Sequence, residues 1–250
     1  IIITPEGDTV LDFGQNLTGW VHVKVDGEEG QEMILNHFEV LDARGNVYTE
    51  NLRSAKETLT YICSGKGEAV YRPSFTFQGF RYIRVAACPG EVKKENFTAW
   101  AVHSDMRDTG HFSCSNPLLN QLQHNISWGL KGNFLDIPTD CPQRDERLGW
   151  TGDAQIFCRT ATFLKDTYTF FSKWLKDVAA DQAPNGAVPH VVPDILTNRA
   201  DDNWLVGEGS SVGATAWGDV AVIAPWTLYL SYGDKRIIEE QYDSMKGWTD

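Results

Sequence analysis

The residues best suited to chemistry lie in one short segment, 140–153, which reads DCPQRDERLGWTGD. It sets four carboxylates and two arginines around a Gly-Trp pair, namely Asp140, Asp145, Glu146 and Asp153 with Arg144 and Arg147. A carboxylate beside a guanidinium stays ionised, whereas one crowded by other acids is pushed towards holding its proton. Two carboxyl groups whose pKa values are separated in this way are what acid/base catalysis needs.

An aromatic ring beside these acids favours a carbohydrate ligand. The apolar face of a sugar can stack on the indole of Trp150, while carboxylates and an arginine bind its hydroxyls. The plain structural alternative is a salt-bridged surface loop with a buried tryptophan, because structural ion pairs also perturb pKa values. The order of the residues, more than their types, favours the catalytic interpretation.

That order closely resembles the catalytic-domain signature of bacterial α-L-rhamnosidases, inverting glycosidases that remove terminal L-rhamnose from glycosides and polysaccharides. Other stretches resemble the same family in the same order: DFGQN at 12–16, GW at 19–20, HFE at 37–39, FTFQGFRY at 75–82, WGD at 217–219 and PW at 225–226. The resemblance covers nearly the whole chain. It implies a β-sandwich followed by an (α/α)6 barrel, a rhamnose-containing glycoside or polysaccharide as substrate, and no cofactor or metal.

The resemblance also implies roles for individual residues. Glu146 would be the general acid, and Asp140, Asp145 and Asp153 are expected to raise its pKa by like-charge repulsion. Many family members have one residue fewer before the acid, so choosing Glu146 over Asp145 rests on counting back from the Leu-Gly-Trp that follows. The residues expected to bind the sugar are Asp140, Arg144, Trp150, Asp153, Trp204, Trp217 and Asp219.

Some of these assignments have structural alternatives. A tryptophan at the start of a helix, such as Trp217, is often a core residue, and Asp219 fits a first helical turn, where the helix dipole favours an acid. His190 could touch substrate or be a structural loop residue. His37 and Glu39 are interpreted as structural or interface residues of the first half.

The general base of the resembled family is a glutamate far downstream, beyond residue 250. We therefore expect the 250-residue chain to bind rhamnose poorly and to hydrolyse essentially nothing by itself. The residues after 108 supply only about five helices of typical length, fewer than the twelve of the barrel. A partial barrel would expose apolar surface, which a homodimer could cover.

Composition narrows the class of protein. A formal charge of −12 argues against nucleic acid or an anionic membrane as partner. The five cysteines are irregularly spaced without a CxxC pair, which slightly favours a cytoplasmic location and leaves a periplasmic or secreted one open. Cys141, inside the acidic segment, is interpreted as a packed thiol rather than a nucleophile.

The first half, 1–107, has the pattern of a β-sandwich domain. Short β-branched and aromatic runs at 20–25, 33–38, 57–63, 81–87 and 97–103 are separated by turn signals. In the run WVHVKV, three valines share one face, as in a sheet whose faces differ in polarity.

The second half, 108–250, has helical periodicity and would be the first part of the (α/α)6 barrel. Helices are predicted over 118–130, 153–163, 167–180, 218–231 and 235–246, the first led by Asn116 and Pro117. The long loop 181–213 is expected to be functional, with 185–190 and 201–204 suited to a substrate mouth.

Three other functions stay open at this point. The chain could be a non-catalytic carbohydrate-binding module with a helical appendage, or a helical-barrel glycosidase for another sugar. It could also be a metal-dependent hydrolase with the acids as oxygen ligands. The arginines count against the metal, because they repel a cation.

Overall fold

The structure is a computed structural model that describes residues 1–197 and 211–250. The chain forms two compact units. The first, here called the sheet unit, contains residues 1–103 together with 131–133 and 141–147. The second, the helical unit, contains 104–130, 134–140 and 148–250. The acidic segment is therefore divided, and residues 141–147, here called the acid loop, belong to the sheet unit.

The sheet unit is antiparallel. Its strands are β1 (Ile2–Ile3), β2 (Thr9–Val25), β3 (Glu32–Phe38), β4 (Val40–Leu41), β5 (Val47–Tyr48), β6 (Thr58–Ile62), β7 (Ala69–Tyr71), β8 (Gln78–Ala87) and β9 (Phe97–Ala101). Seven of them form one sheet in the order β1-β2-β8-β3-β6, with β7 and β9 both paired to β2, while β4 and β5 form a separate hairpin. Single 3-10 turns lie at Glu50–Leu52 and Lys94–Asn96.

Strand β2 organises this sheet, and it is much longer than the sequence predicts. Val21, Val23 and Val25 alternate into the core as expected, but the strand begins at Thr9 and passes through Gly14 and Gly19. Because glycine weakens strands, the sequence pattern that predicts a strand is interrupted at these two glycines. At Gly19 the residue type is required, because a Cβ there would collide with the carbonyl oxygen of Trp100 on β9.

The DFGQN stretch is an irregularity in β2. The pairing with β8 shifts register between Asp12 and Leu17, so the chain bends there. Asp12 holds the bend by accepting a hydrogen bond from the Gly14 N–H at 2.7 Å and a bidentate pair from Arg81 at 2.8 and 2.9 Å. These bonds lower the pKa of Asp12, with the Arg81 contact as the main cause. The motif therefore has a structural role.

The helical unit contains the five predicted helices. They are α1 (Pro117–Asn133), α2 (Thr151–Leu164), α3 (Tyr168–Asp181), α4 (Val220–Tyr232) and α5 (Arg236–Thr249), and a small hairpin is formed by β10 (Phe134–Leu135) and β11 (Ile137–Pro138). Helix α1 starts as its sequence indicates, because the Asn116 side chain accepts a hydrogen bond from the Leu118 N–H at 2.9 Å.

The core of the helical unit is centred on α3. Phe171, Trp174, Leu175 and Val178 share one stripe at helical spacing and are all fully buried. The Trp174 indole N–H donates to the Val192 carbonyl at 3.1 Å, which satisfies its one polar atom inside the core. Of the helices in the described part of the chain, none combines the length and apolar character that crossing a membrane requires.

The predicted long loop is held by backbone pairing in its described parts. The His190 N–H donates to the Ser211 carbonyl and the Gly213 N–H to the Val188 carbonyl, each at 2.9 Å. Gly186 has a φ of +87° and lies so close to Gly247 that a side chain could not fit. The predicted substrate-mouth residues 201–204 lie outside the described residues.

Two cysteines, Cys141 in the acidic segment and Cys158 in α2, are buried thiols. None of the five cysteines, all within the described residues, forms a disulfide. Burial raises the pKa of the Cys158 thiol to about 12, so it stays protonated and unreactive at neutral pH. The burial of Cys141 agrees with its interpretation as a packing residue.

Burial of His37 predicts that the sheet unit loses stability in mild acid. The side chain is 1% exposed, and burial lowers its pKa to about 3, against about 6.5 in an unfolded chain. Between these pH values only the unfolded chain binds the proton, so stability falls as the pH drops below about 6.5. We expect the sheet unit's opening free energy to be ~2 kcal/mol lower at pH 5 than at pH 7.

This prediction is checked by hydrogen exchange of the β3 and β8 amides in the full-length protein, corrected for intrinsic rates. His37→Gln should remove this part of the pH dependence, whereas His111→Gln, at an exposed position, should keep it. An unchanged pH slope in His37→Gln would contradict the prediction.

Candidate functional site

The acid loop is fixed to the sheet unit by Arg147. Its guanidinium forms an ion pair with Glu57, whose side chain is 1% exposed, and donates to the Phe77 carbonyl at 3.0 Å. It also donates to the carbonyls of Arg144 and Gln143 within the loop. Burial lowers the pKa of Arg147, but a guanidinium still carries its charge at neutral pH. Arg147 is therefore a partly buried charged anchor of the acid loop.

Two further contacts bring the acid loop against the sheet. Gln143 donates its side-chain amide to Glu39 at 2.8 Å. At Gly79, in the FTFQGFRY stretch, an added Cβ would lie 2.8 Å from side-chain atoms of Pro142 and Gln143, so only glycine permits this approach. The structural interpretation of Glu39 agrees with these contacts, since its carboxylate also accepts from Asn16 and Asn51.

The Glu146 carboxylate is bound by two arginines. Its side chain is 11% exposed, and the Oε2 oxygen accepts from Arg144 Nε at 2.9 Å and from Arg53 Nη1 at 3.1 Å. The sequence predicted an environment of like charges for this residue. The structure instead places two guanidiniums on it, and one of them comes from the β-half, far away in sequence.

Asp145 shares the Arg53 guanidinium with its neighbour, at 4.0 Å from Oδ1, but Ser54 contacts it more closely. Its carboxylate accepts hydrogen bonds from the hydroxyl and from the backbone N–H of Ser54, the latter at 3.3 Å. The bond from the Ser54 hydroxyl is the main cause that keeps the pKa of Asp145 below its usual range. An acid that gives up its proton so readily is poorly suited to hold one at neutral pH, which favours Glu146 over Asp145 as a proton donor.

Reasoning from the sequence did not identify the sheet-unit residues Arg53, Ser54 and Glu57. They lie in the stretch 53–57, reading RSAKE, which resembles an ordinary polar turn. Arg53 and Glu57 have positive φ angles of 56° and 44°, an uncommon conformation for residues other than glycine. Side-chain pairing across about 90 positions leaves no periodic signal in one sequence, so these residues were missed.

Arg53 and Arg144 also decide whether the Glu146 carboxylate is suited to bind a metal ion. The Cys141 thiol and a Glu146 carboxylate oxygen lie within 4.8 Å of each other and are of metal-ligating types. However, the Glu146 oxygen is already bound by the guanidiniums of Arg53 and Arg144. Two positive charges at this distance oppose the binding of a cation strongly.

In the helical unit, Asp140 and Leu148 form a bridge at the two ends of the acid loop. The Asp140 N–H donates to the Leu148 carbonyl at 3.2 Å. In return, the Leu148 N–H donates to Asp140 Oδ1 at 3.2 Å. One oxygen of Asp140 therefore closes the loop, which adds a structural role to the sugar-binding role predicted for this residue.

Trp150 lies at the start of α2 and is largely buried. Its side chain is 8% exposed and packs with Leu148, Val191 and Leu196. The indole Nε1 is enclosed and has no hydrogen-bond acceptor among the described residues. Gly149 before it is required, because a Cβ would collide with the Val192 carbonyl oxygen. The structure therefore places Trp150 in an apolar cluster, which agrees with the buried tryptophan of the structural alternative.

Trp217 and Asp153 are neighbours of the α2 start as well. The Trp217 ring lies 3.2 Å from the position that a Cβ on Gly152 would take, and its side chain is 38% exposed. Asp153 follows Gly152 and is exposed in the first turn of α2. The centroid of the His190 ring lies 5.9 Å from that of the Trp217 ring, and the two rings are tilted at 45°. The His190 carbonyl accepts a hydrogen bond from the Thr151 N–H, which gives this residue a structural role.

The remaining predicted sugar ligands are Asp219 and Trp204. Asp219 Oδ1 accepts from the Trp248 indole N–H and Oδ2 from the Ala216 N–H, each at 3.0 Å. Both oxygens thus make internal bonds, which favours the structural alternative for Asp219. Trp204 lies outside the described residues.

The sheet unit also contains a polar cavity of about 310 Å³. Its lining includes the charged residues Glu6, Asp8, Arg53, Lys56 and Arg84. Arg84 is engaged by Asn36, to which it donates at 2.8 and 3.1 Å. Arg53 both lines this cavity and binds Glu146, so the cavity lies beside the candidate acid.

Comparison with known proteins identifies two matching family models. The bacterial alpha-L-rhamnosidase concanavalin-like domain matches residues 2–103, and the bacterial alpha-L-rhamnosidase 6 hairpin glycosidase domain matches residues 107–250. Among curated proteins, an alpha-L-rhamnosidase of Streptomyces avermitilis is 42% identical over 97% of this chain, and one of Formosa agariphila is 43% identical over 99%. The chain spans 22% and 26% of their lengths.

Solved structures agree with the fold. The native α-L-rhamnosidase of Aspergillus terreus superposes with a TM-score of 0.90 at 47% identity, over 100% of this chain and 28% of that one. The Streptomyces avermitilis enzyme, solved in complex with L-rhamnose, gives 0.88 at 42% identity, over 97% of this chain and 22% of that one. The predicted fold class, a β-sandwich followed by helices of a six-hairpin domain, is confirmed.

The Arg147–Glu57 ion pair predicts a stability effect at Glu57. Glu57→Ala should lower the free energy of unfolding of the sheet unit by about 1.5–3 kcal/mol, because it removes the carboxylate partner of a guanidinium that is only 28% exposed. Hydrogen exchange of the sheet amides in the full-length protein measures this loss. Tryptic cleavage after Arg144 should accelerate in parallel as the acid loop is released.

The matched control is Glu91→Ala, which removes the exposed ion pair with Lys93 in the same unit. It should change stability by no more than about 1 kcal/mol. If Glu57→Ala were as mild as Glu91→Ala, the anchoring role of Arg147 would be wrong.

Proposed function

This chain belongs to the bacterial alpha-L-rhamnosidase family, and from that premise we propose that the protein removes terminal α-L-rhamnose from glycosides or polysaccharides by an inverting acid/base mechanism. The observation that carries the proposal is the Glu146 carboxylate: largely buried, held on a loop that is anchored to a rigid sheet, and fixed at one oxygen by Arg144. A proton donor needs this fixed geometry.

In the proposed reaction, Glu146 gives its proton to the glycosidic oxygen as the bond to the sugar breaks. The carboxyl then becomes a carboxylate, and the nearby guanidiniums stabilise the charge that develops on it. A second carboxylate, about 6.5–9.5 Å away in inverting enzymes, activates the water that attacks from the opposite face. The lowered pKa of Asp145 supports assigning the proton donor to Glu146 and not to Asp145.

The sugar-binding roles are proposed residue by residue. Asp140 and Asp153 would accept hydrogen bonds from rhamnose hydroxyls, as carboxylates commonly do. Trp150 and the half-exposed Trp217 would supply apolar surface for the sugar ring. Arg144 was predicted to bind a hydroxyl, and its bond to Glu146 supports an additional role in orienting the acid. Asp219 is the weakest member of the set, since internal hydrogen bonds engage both of its oxygens.

If Glu146 is the general acid, the activity lost when it is replaced should depend on the leaving group of the substrate. In the full-length protein, Glu146→Gln should lower kcat/KM on phenyl rhamnoside by ~10²–10⁴-fold, since general acid catalysis typically contributes that much. Activity on 2,4-dinitrophenyl rhamnoside, whose leaving group needs no proton, should be largely kept. Steady-state kinetics on the two substrates measures the contrast.

Glu91→Gln, at an exposed acid of the sheet unit, is the control and should match the wild type on both substrates. Wild-type turnover of phenyl rhamnoside by Glu146→Gln would rule out the assignment. The same selective loss in Asp145→Asn instead would move the acid role to Asp145.

The inverting mechanism predicts the anomer that forms first. An α-rhamnoside should release β-rhamnose, because water attacks the face opposite the leaving group. Proton NMR during the first minutes of hydrolysis, before mutarotation, distinguishes the anomers. Initial release of α-rhamnose would indicate retention and contradict the proposed pathway.

A further inference from the structure

We propose that Arg53 of the sheet unit is a positioning residue for the general acid. The inference rests on the proposed role of Glu146 and extends it to a residue from a different part of the chain. Arg53 Nη1 donates to Glu146 Oε2 at 3.1 Å, from a position 93 residues earlier in sequence. The Glu146 side chain is 11% exposed, so this contact lies at the edge of an enclosed carboxylate.

The backbone around Arg53 aims its side chain at the acid loop. The 3-10 turn Glu50–Leu52 precedes it, with Leu52 buried as an anchor and the Arg53 N–H bonded to the Glu50 carbonyl at 3.2 Å. Arg53 itself has a φ of 56°, an uncommon conformation for an arginine. Ser54, the next residue, binds Asp145 with both its hydroxyl and its N–H. Consecutive residues of this turn thus hold consecutive residues of the acid loop.

The two arginines on Glu146 have different mechanical consequences. Arg144 lies only two positions from Glu146, so it orients the carboxyl from within the acid loop. Arg53 belongs to another segment and ties the same carboxyl directly to the turn after Leu52. Both donate to Oε2, which restricts rotation of the carboxyl group.

Stability does not explain this contact. The Arg53 side chain is 42% exposed, and exposed ion pairs contribute little to folding because water and salt screen them. A guanidinium is, however, well suited to hold a carboxylate in a defined orientation and to stabilise its charge once the proton has left. The contact therefore fits a role in proton transfer, and its removal should leave the fold intact.

The test uses Arg53→Ala in the full-length protein with substrates that differ in leaving group. A displaced acid should slow phenyl rhamnoside hydrolysis about 10–100-fold in kcat, the scale expected for misplacing a catalytic group. The rate on 2,4-dinitrophenyl rhamnoside should change less than about 2-fold, because this substrate does not use the acid. KM should stay unchanged for both substrates.

Rescue and control variants separate positioning from folding. Arg53→Lys should recover part of the phenyl rhamnoside rate, since an ammonium keeps the charge without the planar guanidinium geometry. Added guanidinium ions should raise the Arg53→Ala rate selectively on the same substrate. Arg81→Ala is the matched control: Arg81 is similarly exposed, at 39%, and pairs with Asp12 in the same unit. It should retain wild-type rates on both substrates.

The outcomes distinguish this inference from the proposed function. If Glu146→Gln loses phenyl rhamnoside activity selectively but Arg53→Ala matches the wild type, or loses both substrates equally, the positioning role is overturned and the acid assignment stands. If Glu146→Gln itself keeps wild-type turnover of phenyl rhamnoside, the acid assignment fails and the role of Arg53 fails with it.

Discussion

The ion pair between the partly buried Arg147 and the buried Glu57 is the constraint on which the candidate site depends. Charged groups are costly to bury, and this pair is stable because Arg147 also donates to backbone carbonyls on both sides. It connects a loop rich in charge to a strand-forming segment far away in sequence. Once Arg147 is fixed, the preceding residues, including Glu146, have little freedom left.

The acidic segment thus combines two structural environments. Its middle, the acid loop, belongs to the sheet unit, while its ends belong to the helical unit, where Asp140 and Leu148 bond to each other. The glycines of the segment serve close packing: Gly149 meets a backbone carbonyl, and Gly152 lies under the Trp217 ring. The family signature therefore includes packing requirements around the proposed proton donor.

The electrostatic environment of that donor differs from the one that the sequence indicated. Counting charges along the segment predicts a glutamate crowded by acids, because neighbours in sequence are taken as neighbours in space. In the structure, Asp145 is held by Ser54 while Glu146 is held by Arg53 and Arg144. Side chains of adjacent residues in an irregular loop point in different directions, so a count of charges did not describe their contacts.

The sequence by itself determined the two kinds of architecture, the five helices and the family, because periodicity, caps and residue order are local signals. It did not determine that β2 extends through two glycines, or that both carboxylate oxygens of Asp219 accept hydrogen bonds within the protein. Nor could it reveal Arg53, Ser54 and Glu57 as neighbours of the acid loop. Only the tertiary structure decided these, because contacts across about 90 residues depend on chain folding and leave no trace in local spacing.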